Sequence, residues 1–129
     1  MVIDDDRYLC QTLKDALERY GYDVSTAGDG VEAIEMARGQ SYDLFFIDVK
    51  LPSINGLQTY LALKEINPEA VAIMMTGYRF ETAELVKEAI ASSIYTCLYK
   101  PFDLQTVVKL VERVRRGRLH GDLTKRFKE

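Results

Sequence analysis

Residues 42–56 read YDLFFIDVKLPSING. Four consecutive apolar residues, Leu44 to Ile47, run straight into Asp48, and Pro52 and Gly56 follow within eight positions. A run that is apolar at every position is covered on both faces, which is the mark of a central strand in a parallel sheet. Asp48 therefore stands where a buried strand ends. Either it begins a loop, or it is held there because its carboxylate does chemistry.

Four further apolar runs lie outward from this one: MVI (1–3), YDVSTA (22–27), AVAIMM (70–75) and YTCLY (95–99). AIMM resembles LFFI in being apolar throughout, whereas YDVSTA alternates and reads as a strand nearer an edge. The segments between them carry apolar residues at helical spacing. Leu9, Leu13, Ala16, Leu17 and Tyr20 form one stripe, and Gly21 stops that helix. Val31, Ile34 and Ala37 form the next, then Leu57, Tyr60, Leu61 and Leu63. Leu85, Val86, Ala89 and Ile90 mark a fourth helix, and Leu104, Val107, Val108, Val111 and Val114 a fifth. Strand and helix repeated five times predict an α/β fold, a doubly wound five-stranded parallel sheet with helices on both faces. The first run is short beside the usual five or six residues of a strand. Either that strand is unusually short, or further native residues precede it.

The 129 residues suit one domain, and 47% hydrophobic with 29% charged is ordinary for a globular protein. No apolar run approaches the roughly 18 residues that span a membrane. Cys10 and Cys97 are far apart and fit neither a disulfide framework nor a metal-ligand spacing, so a cytoplasmic setting is expected. Charge is unevenly placed. Residues 113–129 carry seven bases and two acids, while residues 1–112 carry 18 acids and 10 bases. The apolar periodicity fades beyond Arg116, which predicts a domain over 1–116 and a basic C-terminal tail or linker over 117–129. That tail is too short for a helix-turn-helix, so DNA binding by this domain is not expected.

In such a sheet, ligands bind beyond the carboxyl ends of the strands. After the first run come Asp4, Asp5 and Asp6; after the third, Asp48; after the fourth, Thr76-Gly77; after the fifth, Lys100-Pro101. Each alone has a plain reading as a helix cap, a turn or a strand end. Together they place acids, a hydroxyl and a lysine on one rim. Two carboxylates about 5 Å apart repel by roughly 3 kcal/mol at an effective dielectric near 20. A bound Mg²⁺, which favours hard oxygen ligands, offsets that repulsion. Its two charges and that of Lys100 balance three carboxylates, so a phosphoryl donor can approach. Asp48 is then the candidate nucleophile, already ionised at neutral pH and needing no general base. Thr76 would donate its hydroxyl to a phosphoryl oxygen.

These residues resemble the receiver domain of two-component response regulators over about 1–116. The similarity rests on Val2-Ile3-Asp4-Asp5-Asp6, on Asp43-Leu44 with Asp48, Pro52 and Gly56, on Thr76-Gly77-Tyr78, and on Lys100-Pro101-Phe102. The resemblance implies a flavodoxin-like sheet of order 2-1-3-4-5. It implies Asp48 as phosphoacceptor, with Asp5 a direct Mg²⁺ ligand, Asp4 acting largely through water, and the backbone carbonyl of Lys50 as a further ligand. Thr76 and Lys100 would grip the phosphoryl group, the Lys100–Pro101 peptide would be cis, and Lys50 and Tyr78 would tune dephosphorylation. Implied partners are a histidine kinase or phosphotransfer protein, an output domain or target protein, and a second copy docking on the face of the fourth helix, fifth strand and fifth helix. Such a domain is a switch that assists its own phosphorylation rather than an enzyme.

The chain departs from the family pattern in three places. Thr76 and Lys100 lie 24 positions apart rather than the usual 22, which predicts a longer fourth helix or a longer loop before it. Cys97 occupies the place of the family's switch aromatic, with Tyr95 and Tyr99 on the same strand face. Ser92-Ser93-Ile94 stands where a Gly-Ala turn is common. Rival readings fare worse. A haloacid dehalogenase-type phosphohydrolase needs an acid two residues after its nucleophile, where this chain has Lys50. A flavodoxin-like electron carrier needs a phosphate-cradling loop where this chain has three acids. The alternative is a degenerate receiver, a phosphorylation-independent interaction module, which would be expected to lack one of the acids.

Overall fold

The computed structural model describes residues 1–77 and 82–128, with side chains described as far as Gly117. Elements follow in the order β1 (Val2–Ile3), α1 (Arg7–Glu18), β2 (Thr26–Ala27), α2 (Gly30–Gly39), β3 (Leu44–Asp48), α3 (Gly56–Ile66), β4 (Val71–Gly77), α4 (Ala83–Ala91), β5 (Thr96–Lys100) and α5 (Leu104–Lys128). The strands form one parallel sheet in the order β2-β1-β3-β4-β5.

The fully apolar runs are the central strands because each feeds two cores. In β3, Phe45 and Ile47 point into the core beneath α2, α3 and α4, while Phe46 points into the core beneath α1 and α5. In β4, Met74 joins the first core, and Ile73 and Met75 the second. Period-two alternation therefore survives, but both phases are apolar.

The strand predicted over 22–27 pairs only at Thr26 and Ala27. Its sole neighbour, β1, offers only Val2 and Ile3 as partners. Tyr22 and Val24 pack against the α1–α5 core without joining the ladder. Several stripe members face solvent instead of the core: Tyr20, Val31, Leu61, Ile90 and Leu104 are exposed. In α2 the buried positions are Gly30, Ala33 and Ala37, because small residues let that helix sit close to the sheet. The backbone of α5 continues helically to Lys128, past the point where apolar periodicity fades; Val114 is its last buried residue on the described side chains.

Local signals explain the helix starts. Asp6, Asp29 and Asn55 are N-caps whose side chains accept from Leu9, Glu32 and Gln58 backbone N–H groups. Asn55 and Gln58 complete a capping box. Gly21 ends α1 with φ of 89°, a conformation that favours glycine. Ser93, after α4, adopts φ of 74° without being glycine.

α3 and α4 are tied at one point. The Ser92 carbonyl, just past α4, accepts from the Tyr60 hydroxyl at 2.6 Å and from Lys64 Nζ at 3.1 Å. Tyr60→Phe removes the shorter bond and keeps the ring, so it is expected to cost about 1 kcal/mol in urea unfolding. No change in the unfolding midpoint would show that Lys64 alone holds this carbonyl.

Candidate functional site

Strand register builds the rim. Ile3 pairs with Ile47, so Asp4 and Asp48 leave adjacent strands at the same level. Asp48 lies opposite Met75, which puts Thr76 one residue further out, and Gly77 lies opposite Lys100. The four chemical side chains thus climb the carboxyl edge from β1 to β5.

Carboxylate oxygens of Asp4, Asp5 and Asp48 all lie within 4.8 Å of one another. Asp4 and Asp48 are buried and Asp5 is exposed. Lys100 Nζ donates to Asp4 Oδ2 at 2.6 Å and stands 3.6 Å from Asp48 Oδ1. Burial first, and the fields of Asp4 and Asp5 next, push the Asp48 carboxyl from its ordinary 3.8 up to about 6, against the pull of Lys100 and a backbone hydrogen bond from Lys50. Burial works to lower the Lys100 pKa, but its bonds and charge contacts with Asp4 and Asp48 raise it overall.

Asp6 separates from the other two acids: it caps α1 and donates its backbone N–H to Asp4 Oδ1 at 2.9 Å. Cys10 braces the same corner, its thiol donating to the Asp4 carbonyl at 3.3 Å. Burial, with the nearby Asp4 charge, holds that thiol up at about 11, so it stays protonated at neutral pH.

A cleft of about 570 Å³ opens over these groups, lined also by Lys50, Leu51, Pro52 and Thr82. A larger cleft, about 790 Å³, lies at the opposite pole beside Met1, Tyr22 and Tyr42, away from the acid cluster. Size does not mark the site; convergent charge does. Thr76 is buried, and its hydroxyl donates to the Gly77 carbonyl at 2.8 Å. The Lys100–Pro101 peptide is cis. Gly56 sits so close beneath the strand end that a Cβ would lie 2.3 Å from the Asp48 carbonyl oxygen. Tyr78 lies outside the described residues, as does part of the segment expected to hold the two extra positions before α4.

Cys97 is half-buried and packs toward the α4 side, between the exposed Tyr95 and Tyr99 on the outer strand. Sequence reasoning missed Thr82, which is 5% exposed and lines the cleft. A threonine at a helix start reads from sequence as a cap, and nothing in the chain around it signals the cleft.

The donor set suits a small divalent cation. Three hard carboxylates, two of them buried, meet one lysine ammonium and keep an excess of negative charge. Burial first, and the neighbouring Asp4 charge second, hold the Asp48 carboxyl above its ordinary value.

Comparison with known proteins agrees with this geometry. The pattern of the response regulator receiver domain matches residues 1–112. The chain belongs to that family, a signalling domain of two-component response regulators. It is 32% identical over 113 residues to the transcriptional regulatory protein ZraR of Escherichia coli (strain K12), covering 88% of this chain and 25% of that protein. The chain thus spans about a quarter of that relative's length. A response regulator receiver domain protein from Methanospirillum hungatei JF-1 superimposes with a TM-score of 0.84 at 23% identity, covering 92% of this chain and 94% of that one. A response regulator protein from Burkholderia pseudomallei, solved with a phosphorylated aspartic acid, calcium ion and citrate, superimposes with a TM-score of 0.77 at 25% identity, covering 95% and 72%. No helix among the described residues is long and apolar enough to cross a membrane.

Proposed function

We propose that this domain accepts a phosphoryl group on Asp48 and passes the resulting charge change to a partner or output domain. The observation that carries the reading is the Asp4–Asp5–Asp48 cluster, bridged on one side by Lys100. The phosphorylated aspartic acid and calcium ion in the Burkholderia pseudomallei protein support it by likeness.

Asp5, Asp48, the Lys50 carbonyl and, through water, Asp4 would hold Mg²⁺, which when bound supplies charge neutralisation at the phosphoryl oxygens. The protein's own groups do the rest. Asp48 Oδ attacks phosphorus of an incoming phosphohistidine or phosphoanhydride; the P–O bond to Asp48 forms as the bond to the donor breaks, and the donor keeps that electron pair. Lys100 gives up part of its bond with Asp4 to meet the new oxygens. Thr76 turns its hydroxyl from the Gly77 carbonyl toward them. By likeness to the family, Lys50 and Tyr78 would tune hydrolysis of the acyl phosphate, so the domain would assist its own reset.

The new group brings nearly two charges and several acceptor oxygens to a site that was already acidic. That is enough to shift the population of the α4–β5–α5 face, where Ile90, Tyr95, Tyr99 and Leu104 are exposed, between two arrangements. A target protein, an output domain following the basic segment 117–129, or a second copy would read the difference in a cytoplasmic setting.

The decisive test is incubation with acetyl phosphate and Mg²⁺, or with a cognate histidine kinase, followed by intact mass. One added phosphoryl group, lost in chelator, is expected. An unmodified mass with both donors would favour the phosphorylation-independent module. Lys100→Ala should slow uptake about 10- to 100-fold, the value of a hydrogen bond to a charged group, with the fold retained. Uptake at the wild-type rate would remove Lys100 from the mechanism.

A further inference from the structure

The ladder that carries β1 ends where the acids begin. β1 registers only Val2 and Ile3 against each neighbour, and the Asp4 N–H adds one more bond, to the Ala27 carbonyl at 3.0 Å. Beyond that point the chain is held from the start of α1. The Asp6 N–H donates to Asp4 Oδ1 at 2.9 Å, and the Cys10 thiol donates to the Asp4 carbonyl at 3.3 Å. With Lys100 on Oδ2, every polar group of Asp4 has a partner. Cys10 itself is buried in α1, packed in the core beneath α1 and α5, where a hydrocarbon side chain would fill the same space. Its sulfur differs from such a side chain in one respect, the bond to Asp4.

The carbonyl that Cys10 holds belongs to the peptide unit joining Asp4 to Asp5. Such a unit is planar, so fixing its oxygen fixes the direction in which the chain leaves Asp4 and enters Asp5. Those two residues supply two of the three carboxylates that lie within 4.8 Å of one another. Like charges held this close repel, so the backbone between two of them has to be held from outside the cluster. We propose that Cys10 is a positioning residue for Mg²⁺, its thiol holding the Asp4–Asp5 peptide so that both carboxylates stay gathered with Asp48. This rests on the reading that the acid cluster holds Mg²⁺ for phosphoryl transfer to Asp48. A thiol suits the task because it donates to a carbonyl without bringing a second cation to compete with Lys100 and the metal.

Three proteins test it: wild type, Cys10→Val, which fills the core and loses the donor, and Cys10→Ser, which keeps a donor. Mg²⁺ affinity is measured by titration calorimetry, and amide exchange is followed in metal-free protein. Losing one neutral hydrogen bond corresponds to about fivefold in an equilibrium, so Cys10→Val is expected to bind Mg²⁺ about fivefold more weakly, with Cys10→Ser close to wild type. In chelator the Asp6 amide, which holds Asp4 Oδ1, should exchange faster in Cys10→Val, while amides along α3 keep their wild-type rates. Cys10→Ala takes the place of Cys10→Val should the latter not fold. Wild-type affinity in Cys10→Val, failure of serine to restore affinity, an unchanged Asp6 amide, or an equal rise in exchange along α3, the sign of a purely structural loss, overturns the inference and leaves the acid cluster as the metal site. A wild type that binds no Mg²⁺ also overturns it, and one that in addition takes no phosphoryl group from acetyl phosphate overturns the reading beneath it.

Discussion

Asp48→Asn is expected to end phosphoryl uptake and, in the presence of chelator at pH 7.5, to make the domain harder to unfold. Both effects come from one carboxylate. Uptake falls to background because an amide oxygen is a poor nucleophile and cannot form the acyl phosphate. The stability gain follows from linkage. In the folded domain the Asp48 carboxyl titrates at about 6 against an ordinary 3.8, chiefly because it is buried and secondly because Asp4 is near. Between those values the folded state holds a proton that the unfolded chain has released. Stability therefore falls as pH rises through that window, and the penalty is complete above it.

A displacement of that size corresponds to roughly 3 kcal/mol, which solvent reaching the open cleft reduces to about 1–2 kcal/mol. Asn carries no such penalty. Urea unfolding of both proteins in chelator should show the variant ahead at pH 7.5 and the two converging near pH 4. Added Mg²⁺ should stabilise wild type, by about 2.7 kcal/mol at a hundredfold excess over its dissociation constant, and the variant much less. A variant less stable than wild type in chelator at pH 7.5 would mean that the acid cluster is not under electrostatic load.

Gly56→Val should be the most damaging single change at the site's foundation. A Cβ at Gly56 would stand 2.3 Å from the Asp48 carbonyl oxygen and 2.7 Å from Val49 Cα. Both obstacles are backbone, so no side chain can swing aside. The close approach also serves the Gly56 N–H, which donates to the Val49 carbonyl at 2.8 Å and locks the loop after β3 onto the start of α3. Either the helix start backs away and that bond breaks, or the end of β3 shifts and carries Asp48 with it. The expected cost is about 3 kcal/mol or more, in the range of severe overpacking, and a fall in Tm of about 10 °C. Phosphoryl uptake by the folded fraction should fall as well, since the nucleophile is displaced from the other acids. A variant with wild-type Tm would show that the loop has slack that the close approach denies.

The central strands were legible because LFFI and AIMM are apolar at every position, and no other common arrangement buries both faces of so short a run. Edge elements were less so. Tyr22 and Val24 look like strand residues and are partly buried, yet lie outside the ladder because β1 has no further residues to pair with them. Exposed Val31, Leu61 and Ile90 sit within helical stripes; a helix with a wide apolar arc buries only the part its neighbours cover, and neighbours are not written in local spacing. The Asp4-Asp5-Asp6 cluster shows the same limit within three residues. One acid is buried against Lys100, one faces solvent beside the cleft, and one caps α1.

From its sequence alone this protein declares a parallel α/β sheet and a rim where acids, a hydroxyl and a lysine follow successive strands, because apolar runs and the charges that end them are local properties of the chain. Which acid lies 2.6 Å from Lys100, that the Thr76 hydroxyl turns toward Gly77, and that Thr82 belongs to the same cleft were decided only by the tertiary fold. Those facts depend on strand register and on where one helix end comes to rest, and both are set by packing between segments far apart in the chain.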